Sequence, residues 1–167
     1  MRKLSNKGQM EISFGMIFSV FLIVAFIALT GYVIVKFLNF QETVKVGQFK
    51  EQFQKDVDSI WKSQQGKKEL SYILPSKIKK VCFINLASRP FGVDKEIYSD
   101  LELVTSDESN LIFYPVGSAG VNSLLIEHVD LEKMIAENNP YCANVNEGKL
   151  TLKLNMDYGE NLVTITK

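Results

Sequence analysis

The sequence predicts an α+β fold in which one long N-terminal helix, apolar in its first part and amphipathic in its second, packs on a small antiparallel sheet. Three observations support this fold class. A charge-free apolar stretch lies near the start of the chain, apolar residues at helical spacing follow it, and short apolar or alternating runs separated by Gly, Pro, Asn and Asp occupy the remainder. With 167 residues, the chain is long enough for one ordinary domain and short for two.

The first part of the helix is the apolar stretch. Between Glu11 and Lys36 lie 24 residues without a charge, of which 15 are Leu, Ile, Val or Phe. As a helix, Ile12 to Val35 would be about 36 Å long and would cross a hydrocarbon core of about 30 Å. Its apolar side chains would favour insertion by roughly 6 kcal/mol. The alternative is a buried core helix, but so small a remainder could not cover it. We therefore predict a transmembrane helix at residues 12–38.

Basic residues on one flank predict the orientation of this helix. Arg2, Lys3 and Lys7 precede the apolar stretch, and Lys36 stands alone at its other end. The positive-inside rule places the basic leader at residues 1–11 in the cytoplasm and the C-terminal domain outside the cell. The alternative is a cleaved secretory signal, but the stretch is longer than the usual apolar region of about 7–15 residues and has no Ala-x-Ala site. The expected location is the cell membrane, crossed once.

The residues that lead into the helix carry a family resemblance. The string KGQMEISFG, which starts at Lys7, resembles the class III signal peptides of archaeal type IV pilin-like proteins. The resemblance implies that a prepilin-type peptidase cuts between Gly8 and Gln9, so that the apolar helix stays on the mature chain. The implied processing site consists of Lys7, Gly8, Gln9 and Glu11. The alternative for Gln9 and Glu11 is a polar flank at the membrane surface.

The order of Glu and Ser differs from the family pattern, and the same segment has a second resemblance. In the family, Ser commonly stands third and Glu fifth in the mature chain, whereas here Glu11 is third and Ser13 is fifth. The same segment is also similar to that of uncharacterised archaeal membrane-anchored exported proteins, in which a QMEISFGMIF-like string precedes a small ectodomain. This second resemblance implies a compartment and not an activity.

Apolar residues at spacings of three and four continue the helical pattern after the apolar stretch. They are Val46, Phe49, Phe53, Val57, Ile60 and Trp61. Polar residues lie between them, which is typical of an amphipathic helix. We predict a stalk helix at residues 39–65 that ends at about Ser63 and packs on the following domain through its apolar side. Residues 64–68 are predicted to form a turn.

The remainder, residues 66–167, is predicted to be an α+β extracytoplasmic domain. Five runs are predicted to be strands, at residues 80–86, 110–116, 123–129, 149–156 and 161–166. The last two are predicted to form a hairpin around a turn at residues 157–160. Asp94 and Asp130 are predicted to cap two short helices.

The two cysteines, Cys82 and Cys142, stand 60 residues apart. Outside the cytoplasm a disulfide between them is the favoured interpretation, and it would contribute about 4 kcal/mol by closing a loop of this length. Two buried free thiols are the alternative.

The sequence contains no catalytic or metal-binding motif. The one histidine, His128, is flanked by Glu127 and Asp130, which could form a metal or base site, but an alternating strand would direct Glu127 and His128 to opposite faces. A structural histidine is the favoured interpretation, and we expect no cofactor, no metal and no enzymatic activity. The 19 basic and 19 acidic residues cancel, whereas a nucleic-acid-binding protein needs a basic surplus.

These observations predict a membrane-anchored extracytoplasmic structural or interaction protein that resembles a type IV pilin or pseudopilin subunit, cleaved before Gln9. The expected partners are membrane lipid, a prepilin-type peptidase, and copies of the chain or other pilin-like subunits. Charge is divided along the chain, with ten basic and five acidic residues at 39–89 and five basic and thirteen acidic residues at 90–167. This division could let subunits attract each other, or it could be two solvated surfaces. The alternative function is a monomeric single-span surface protein whose ectodomain binds an envelope partner or ligand.

Overall fold

A computed structural model describes residues 14–106 and 108–167 of the chain. The predicted processing residues Lys7, Gly8, Gln9 and Glu11 lie outside the described residues. The chain divides into two compact units, Met1–Asn39 and Phe40–Lys167.

The elements alternate short helices with antiparallel strands after one long helix. The helices are α1 (Phe14–Ser63), α2 (Tyr98–Glu102) and α3 (Leu131–Ile135), and a 3-10 turn at Lys95–Ile97 precedes α2. The strands are β1 (Gly66–Ile73), β2 (Lys80–Phe83), β3 (Leu111–Tyr114), β4 (Ser123–Leu124), β5 (Tyr141–Asn144), β6 (Lys149–Met156) and β7 (Thr164–Thr166). The α+β prediction is confirmed.

In the second unit, the part of α1 after Phe40 buries the predicted apolar stripe. Val46, Phe49, Phe53, Val57 and Ile60 are all at most 6% exposed. Their spacing of three and four residues places them on one side of the helix, so that one row of side chains enters the core while the residues between them face solvent. The predicted end of this helix at Ser63 is confirmed.

The strands form two antiparallel sheets, in the orders β1-β6-β7 and β4-β3-β2-β5. The predicted hairpin is confirmed, because β6 pairs with β7 with Leu154 opposite Ile165. Leu150, Leu152 and Leu154 alternate with polar residues along β6 and are fully buried. This period of two directs one side of the sheet to the core and the other to solvent.

The second sheet is covered on both faces. Val81 and Phe83 of β2 and Phe113 of β3 belong to the cluster that also contains the apolar stripe of α1. Cys82 of β2 and Ile112 of β3 belong to a smaller cluster that includes Tyr98 and Leu101 of α2. Neighbouring residues of one strand point to opposite faces, which explains why β2 and β3 supply both clusters.

A buried hydroxyl joins α1 to the first sheet. The Tyr72 hydroxyl of β1 donates a 3.0 Å hydrogen bond to Asp56 Oδ2, and Lys68 Nζ lies 3.5 Å from the other oxygen of that carboxylate. Burial raises the pKa of Tyr72, and the Asp56 charge raises it further. The hydroxyl therefore stays protonated and keeps donating.

Several local predictions were wrong. Residues 64–68 are only partly a turn, because β1 begins at Gly66, and Lys67 and Lys68 pair with β6. The sequence did not predict β1, because the charges of Lys67, Lys68 and Glu69 interrupt the alternation of apolar and polar residues that indicates a strand. Strand β5 was not predicted at all, and the strand predicted at 123–129 ends at Leu124.

The two predicted caps have different outcomes. Asp130 accepts a hydrogen bond from the Lys133 backbone N–H and caps α3 as predicted. Asp94 stands before the 3-10 turn but makes no side-chain cap hydrogen bond. Its carboxylate instead forms an ion pair with Lys80 Nζ, because a cation from β2 lies within its reach.

We predict that Phe53→Ala lowers the free energy of unfolding of the second unit by about 3–5 kcal/mol. Phe53 is fully buried, and its ring centroid lies 5.3 Å from that of Phe49 and 5.4 Å from that of Tyr72, so truncation leaves a cavity. Trp61 is the single tryptophan, and its fluorescence during urea unfolding in mild detergent would report this unit. Exposed Gln52→Ala is the control and should change stability by less than about 0.5 kcal/mol. Equal effects of the two substitutions would contradict the assigned packing.

Candidate functional site

The first candidate site is the apolar surface of α1 in the first unit. Every side chain from Phe14 to Leu38 is exposed, including Phe14 at 83%, Phe21 at 69% and Ile27 at 68%. Soluble monomers rarely expose contiguous apolar patches larger than a few hundred Å². Among the described residues, α1 is the one helix long and apolar enough to cross a membrane.

Two side-chain hydroxyls of this segment are satisfied within the helix. The Ser19 hydroxyl donates to the Gly15 carbonyl and the Thr30 hydroxyl to the Phe26 carbonyl, both at 2.8 Å. A helix also pairs its own backbone groups, so this segment has little need of water for hydrogen bonds. Its surface suits an apolar solvent.

The end of the apolar segment carries an aromatic and a basic residue. Lys36 Nζ lies 5.7 Å from the centre of the Tyr32 ring, within reach of a cation–π contact. Tyr and Lys are both common where a spanning helix meets the headgroup layer, because each combines an apolar body with a polar tip. Tyr32 and Lys36 lie near the C-terminal end of the span predicted at residues 12–38.

The second candidate site is the cysteine pair. Cys82 of β2 and Cys142 of β5 lie directly opposite each other on neighbouring antiparallel strands and form the predicted disulfide, with a Cα–Cα distance of 4.0 Å. Both residues are at most 2% exposed. Disulfides persist mainly in oxidising compartments, so this one fits a domain outside the cytoplasm.

The third candidate site is His128, and the strand predicted around it was wrong. His128 has a positive φ of 64° and lies in a turn after Ile126. Its ring stacks on that of Trp61 with centroids 3.7 Å apart, and its Nδ1 lies 3.0 Å from Asp58 Oδ1. A carboxylate only accepts, so Nδ1 carries the donated hydrogen. These contacts assign His128 a packing role.

Gln54, Asp58, Trp61 and His128 form what we call the Trp61 cluster. Gln54 Nε2 donates to Asp58 Oδ1 at 2.8 Å, and Gln54 Oε1 accepts from the Glu127 backbone N–H at 2.9 Å. Trp61 Nε1 donates to the backbone carbonyl of Asn161, which precedes β7, at 3.0 Å. The cluster therefore attaches two loops, the one before α3 and the one between β6 and β7, to the end of α1.

Hydrogen bonding sets the ionisation of Asp58. Burial raises the pKa of its carboxyl, but the hydrogen bonds from His128 and Gln54 outweigh burial and leave the pKa below its ordinary value. Asp58 is therefore ionised at neutral pH. No group of three or more His, Cys, Asp or Glu side chains suited to a metal ion occurs among the residues that the structure describes.

A surface hollow of about 700 Å³ adjoins the Trp61 cluster. It is lined by Trp61, Lys62, Gln64, Met156, Tyr158, Gly159, Glu160 and Asn161. The hollow is open, and Glu160 is already paired with Lys133.

Comparison with protein-family models, with curated proteins and with solved structures finds no match to this chain. Fold and sites define its class as an α+β protein with a disulfide-linked sheet domain and one helix that fits a membrane anchor.

The sequence predicts the cysteine pair and the apolar segment, but it does not predict the Trp61 cluster. Asp58 and Trp61 lie on adjacent turns of α1, and their partner His128 is 70 residues from Asp58. The one available signal was Trp61 at the edge of the apolar stripe, a position from which an indole reaches both core and surface. That position gives no indication that His128 is the partner of Trp61.

We predict that removing the disulfide with Cys82→Ala/Cys142→Ala lowers the free energy of unfolding by about 2–4 kcal/mol, because the unfolded chain loses its cross-link. Urea unfolding with and without reductant measures it. Reductant should destabilise the unmodified chain by a similar amount and leave the double variant unchanged. The intact mass of the unreduced chain should be lower than that of the reduced chain by two hydrogen atoms. An unreduced chain with the mass of two thiols would contradict the pairing.

We predict that Asp58→Asn lowers the free energy of unfolding by about 0.5–1.5 kcal/mol at pH 7. Because folding lowers the Asp58 pKa, its carboxylate stabilises the fold above the ordinary value of about 3.9, and this contribution is lost as pH falls through the lowered value. The difference between variant and unmodified chain should therefore shrink below about pH 4. Glu51→Gln, which breaks an exposed pair with Lys55, is the control and should have little effect. A difference that is constant with pH would contradict the role of the charge.

Proposed function

We propose that this chain is a membrane-anchored extracytoplasmic structural or interaction protein that resembles a type IV pilin subunit. In this proposal the basic leader faces the cytoplasm, the apolar part of α1 crosses the membrane, and the disulfide-linked sheet domain lies outside the cell. The peptidase cut falls between Gly8 and Gln9. The action of the protein is mechanical, through its helix, and involves no chemical step.

The observation that carries the proposal is the exposed apolar surface of α1. The described residues from Phe14 to Val35 carry no charge, and all of their side chains are exposed. Lipid or the apolar helices of other subunits can cover such a surface, whereas water cannot do so without a large free-energy cost.

The core of the second unit uses only the later part of α1, which leaves the earlier part for lipid or other subunits. Its core buries the apolar stripe of α1 from Val46 to Ile60 together with apolar residues of both sheets. The apolar surface of α1 before Phe40 is not used in that core. Helix packing between subunits would use the same apolar surface that a single subunit exposes to lipid.

The resemblance in the leader supplies the processing step. A cut before Gln9 would remove the basic residues Arg2, Lys3 and Lys7 and leave the apolar helix near a new N-terminus. Loss of these charges would allow the helix to leave the bilayer, because the cationic leader holds it at the cytoplasmic surface. Processing would thus precede assembly.

We predict that the mature chain from native membranes begins at Gln9, as read by N-terminal sequencing, and that it sediments with sheared surface filaments. Gly8→Val should block the cut, because the peptidase would meet a branched side chain at the scissile bond. Ser5→Val places the same side chain three residues upstream and should leave cleavage unchanged.

Two results would count against parts of this proposal. A membrane-bound chain that begins at Met1 and stays out of the sheared fraction would favour the monomeric single-span protein with a ligand-binding ectodomain. A chain recovered from the cytosol without detergent would reject membrane anchoring altogether.

A further inference from the structure

We propose that the end of the second unit where the chain enters it binds a layer of anionic lipid headgroups. This surface, which we call the Phe40 face, is formed by helix residues 40–46, by the loops at residues 74–79, 115–121 and 145–148, and by the paired strand ends Ile73 and Lys149. The inference rests on the proposed membrane anchor and adds a second contact with the same membrane, made by the folded unit itself.

Contacts with the first turns of α1 in this unit place the loops together. Lys77 Nζ lies 2.9 Å from Glu42 Oε2, and a Cβ on Gly120 would lie 3.1 Å from Thr43 Oγ1. The Gly148 carbonyl accepts a 2.8 Å hydrogen bond from the Leu74 backbone N–H. Each loop is therefore attached to the same end of the unit.

The Phe40 face has a basic surplus. Lys45, Lys77, Lys79 and Lys149 are exposed, and the acids of these segments are Glu42 and Glu147. The ion pair between Lys77 and Glu42 cancels one charge of each sign, which leaves Lys45, Lys79 and Lys149 against Glu147. Lys80 at the border is paired with Asp94. Exposed lysines near a membrane surface are attracted to anionic headgroups over a distance of about one Debye length.

Apolar side chains accompany these lysines. Phe40 is 66% exposed, Val44 39%, Ile73 69% and Val116 38%. A mixture of exposed apolar and basic residues is typical of surfaces that lie in the headgroup region, because the apolar parts enter the acyl boundary while the ammonium groups stay among the phosphates.

The opposite end of the unit has the opposite charge. Residues 127–132, which include the start of α3, and the loop at 157–161 contain Glu127, Asp130, Glu132, Asp157 and Glu160. The Trp61 cluster attaches both segments to the far end of this part of α1, and the neighbouring Lys133 is paired with Glu160. An anionic membrane would attract the Phe40 face and repel this end. The charge difference therefore determines which end of the unit meets the lipid. The occupant is an anionic lipid layer and not an acidic protein surface, because the chain enters the unit directly after the apolar segment.

The test uses the full chain reconstituted in vesicles of phosphatidylcholine alone or in an equal mixture with phosphatidylglycerol. An environment-sensitive fluorophore is attached to Val116→Cys on the Phe40 face or to Tyr158→Cys in the opposite loop, where Tyr158 is 89% exposed. Quenching by nitroxide-labelled headgroups measures contact with the lipid. We expect strong quenching at position 116 only in the anionic vesicles, its loss when ionic strength rises from about 0.05 to 0.5 M, and little quenching at position 158.

Charge-reversal variants separate this contact from simple tethering. Lys45→Glu/Lys79→Glu should reduce the ratio of docked to undocked protein by at least about 25-fold, since the loss of each lysine near an anionic surface changes that ratio about five-fold and the two new carboxylates are repelled. Lys62→Glu/Lys67→Glu makes the same change in net charge away from the Phe40 face and should preserve docking.

Equal quenching at position 116 in both lipid compositions, stronger quenching at position 158, or full docking of the Lys45/Lys79 variant would overturn the inference while leaving the anchor intact. A chain that fails to insert into either kind of vesicle would reject the proposed anchor and this contact together.

Discussion

One helix must satisfy two different surroundings, and this constraint organises the rest of the structure. Up to Leu38 the surface of α1 is apolar on every side and exposed, whereas from Val46 its apolar residues lie along one stripe that is buried. A helix that is apolar all round needs an apolar solvent, and a helix with one apolar stripe needs a domain to cover it. The change between these patterns falls near the division of the chain into its two units.

The second unit is built to cover that stripe. Phe49 and Phe53 stack with ring centroids 5.3 Å apart, and Tyr72 of the first sheet and Phe113 of the second both contact Phe49. One helix thus joins two sheets that share no strand. The disulfide lies away from this contact, in the smaller cluster under α2, so it stabilises the part of the second sheet that α1 does not reach.

Patterns within short segments were readable from the sequence, and pairings between distant segments were mostly not. The stripe from Val46 to Ile60 and the hairpin of β6 and β7 follow from periods that repeat within a few residues. Strand β1 was missed because three charged residues in a row interrupt its alternation, and β6 on one side supplies its pairing. Strand β5 was missed because it has only four residues and gains its place from β2. The Trp61 cluster was missed because His128 lies 70 residues from Asp58 along the chain.

The sequence alone determined the charge-free helix, the amphipathic stripe and the two cysteines able to form a disulfide, because composition and local period are properties of the chain itself. The tertiary structure decided which loops meet at each end of the second unit, so that lysines from separate segments lie around Phe40 and carboxylates gather near Trp61. Such groupings depend on strand order and on the distance between residues in space. Strand order and these distances are established only when the hydrophobic core forms.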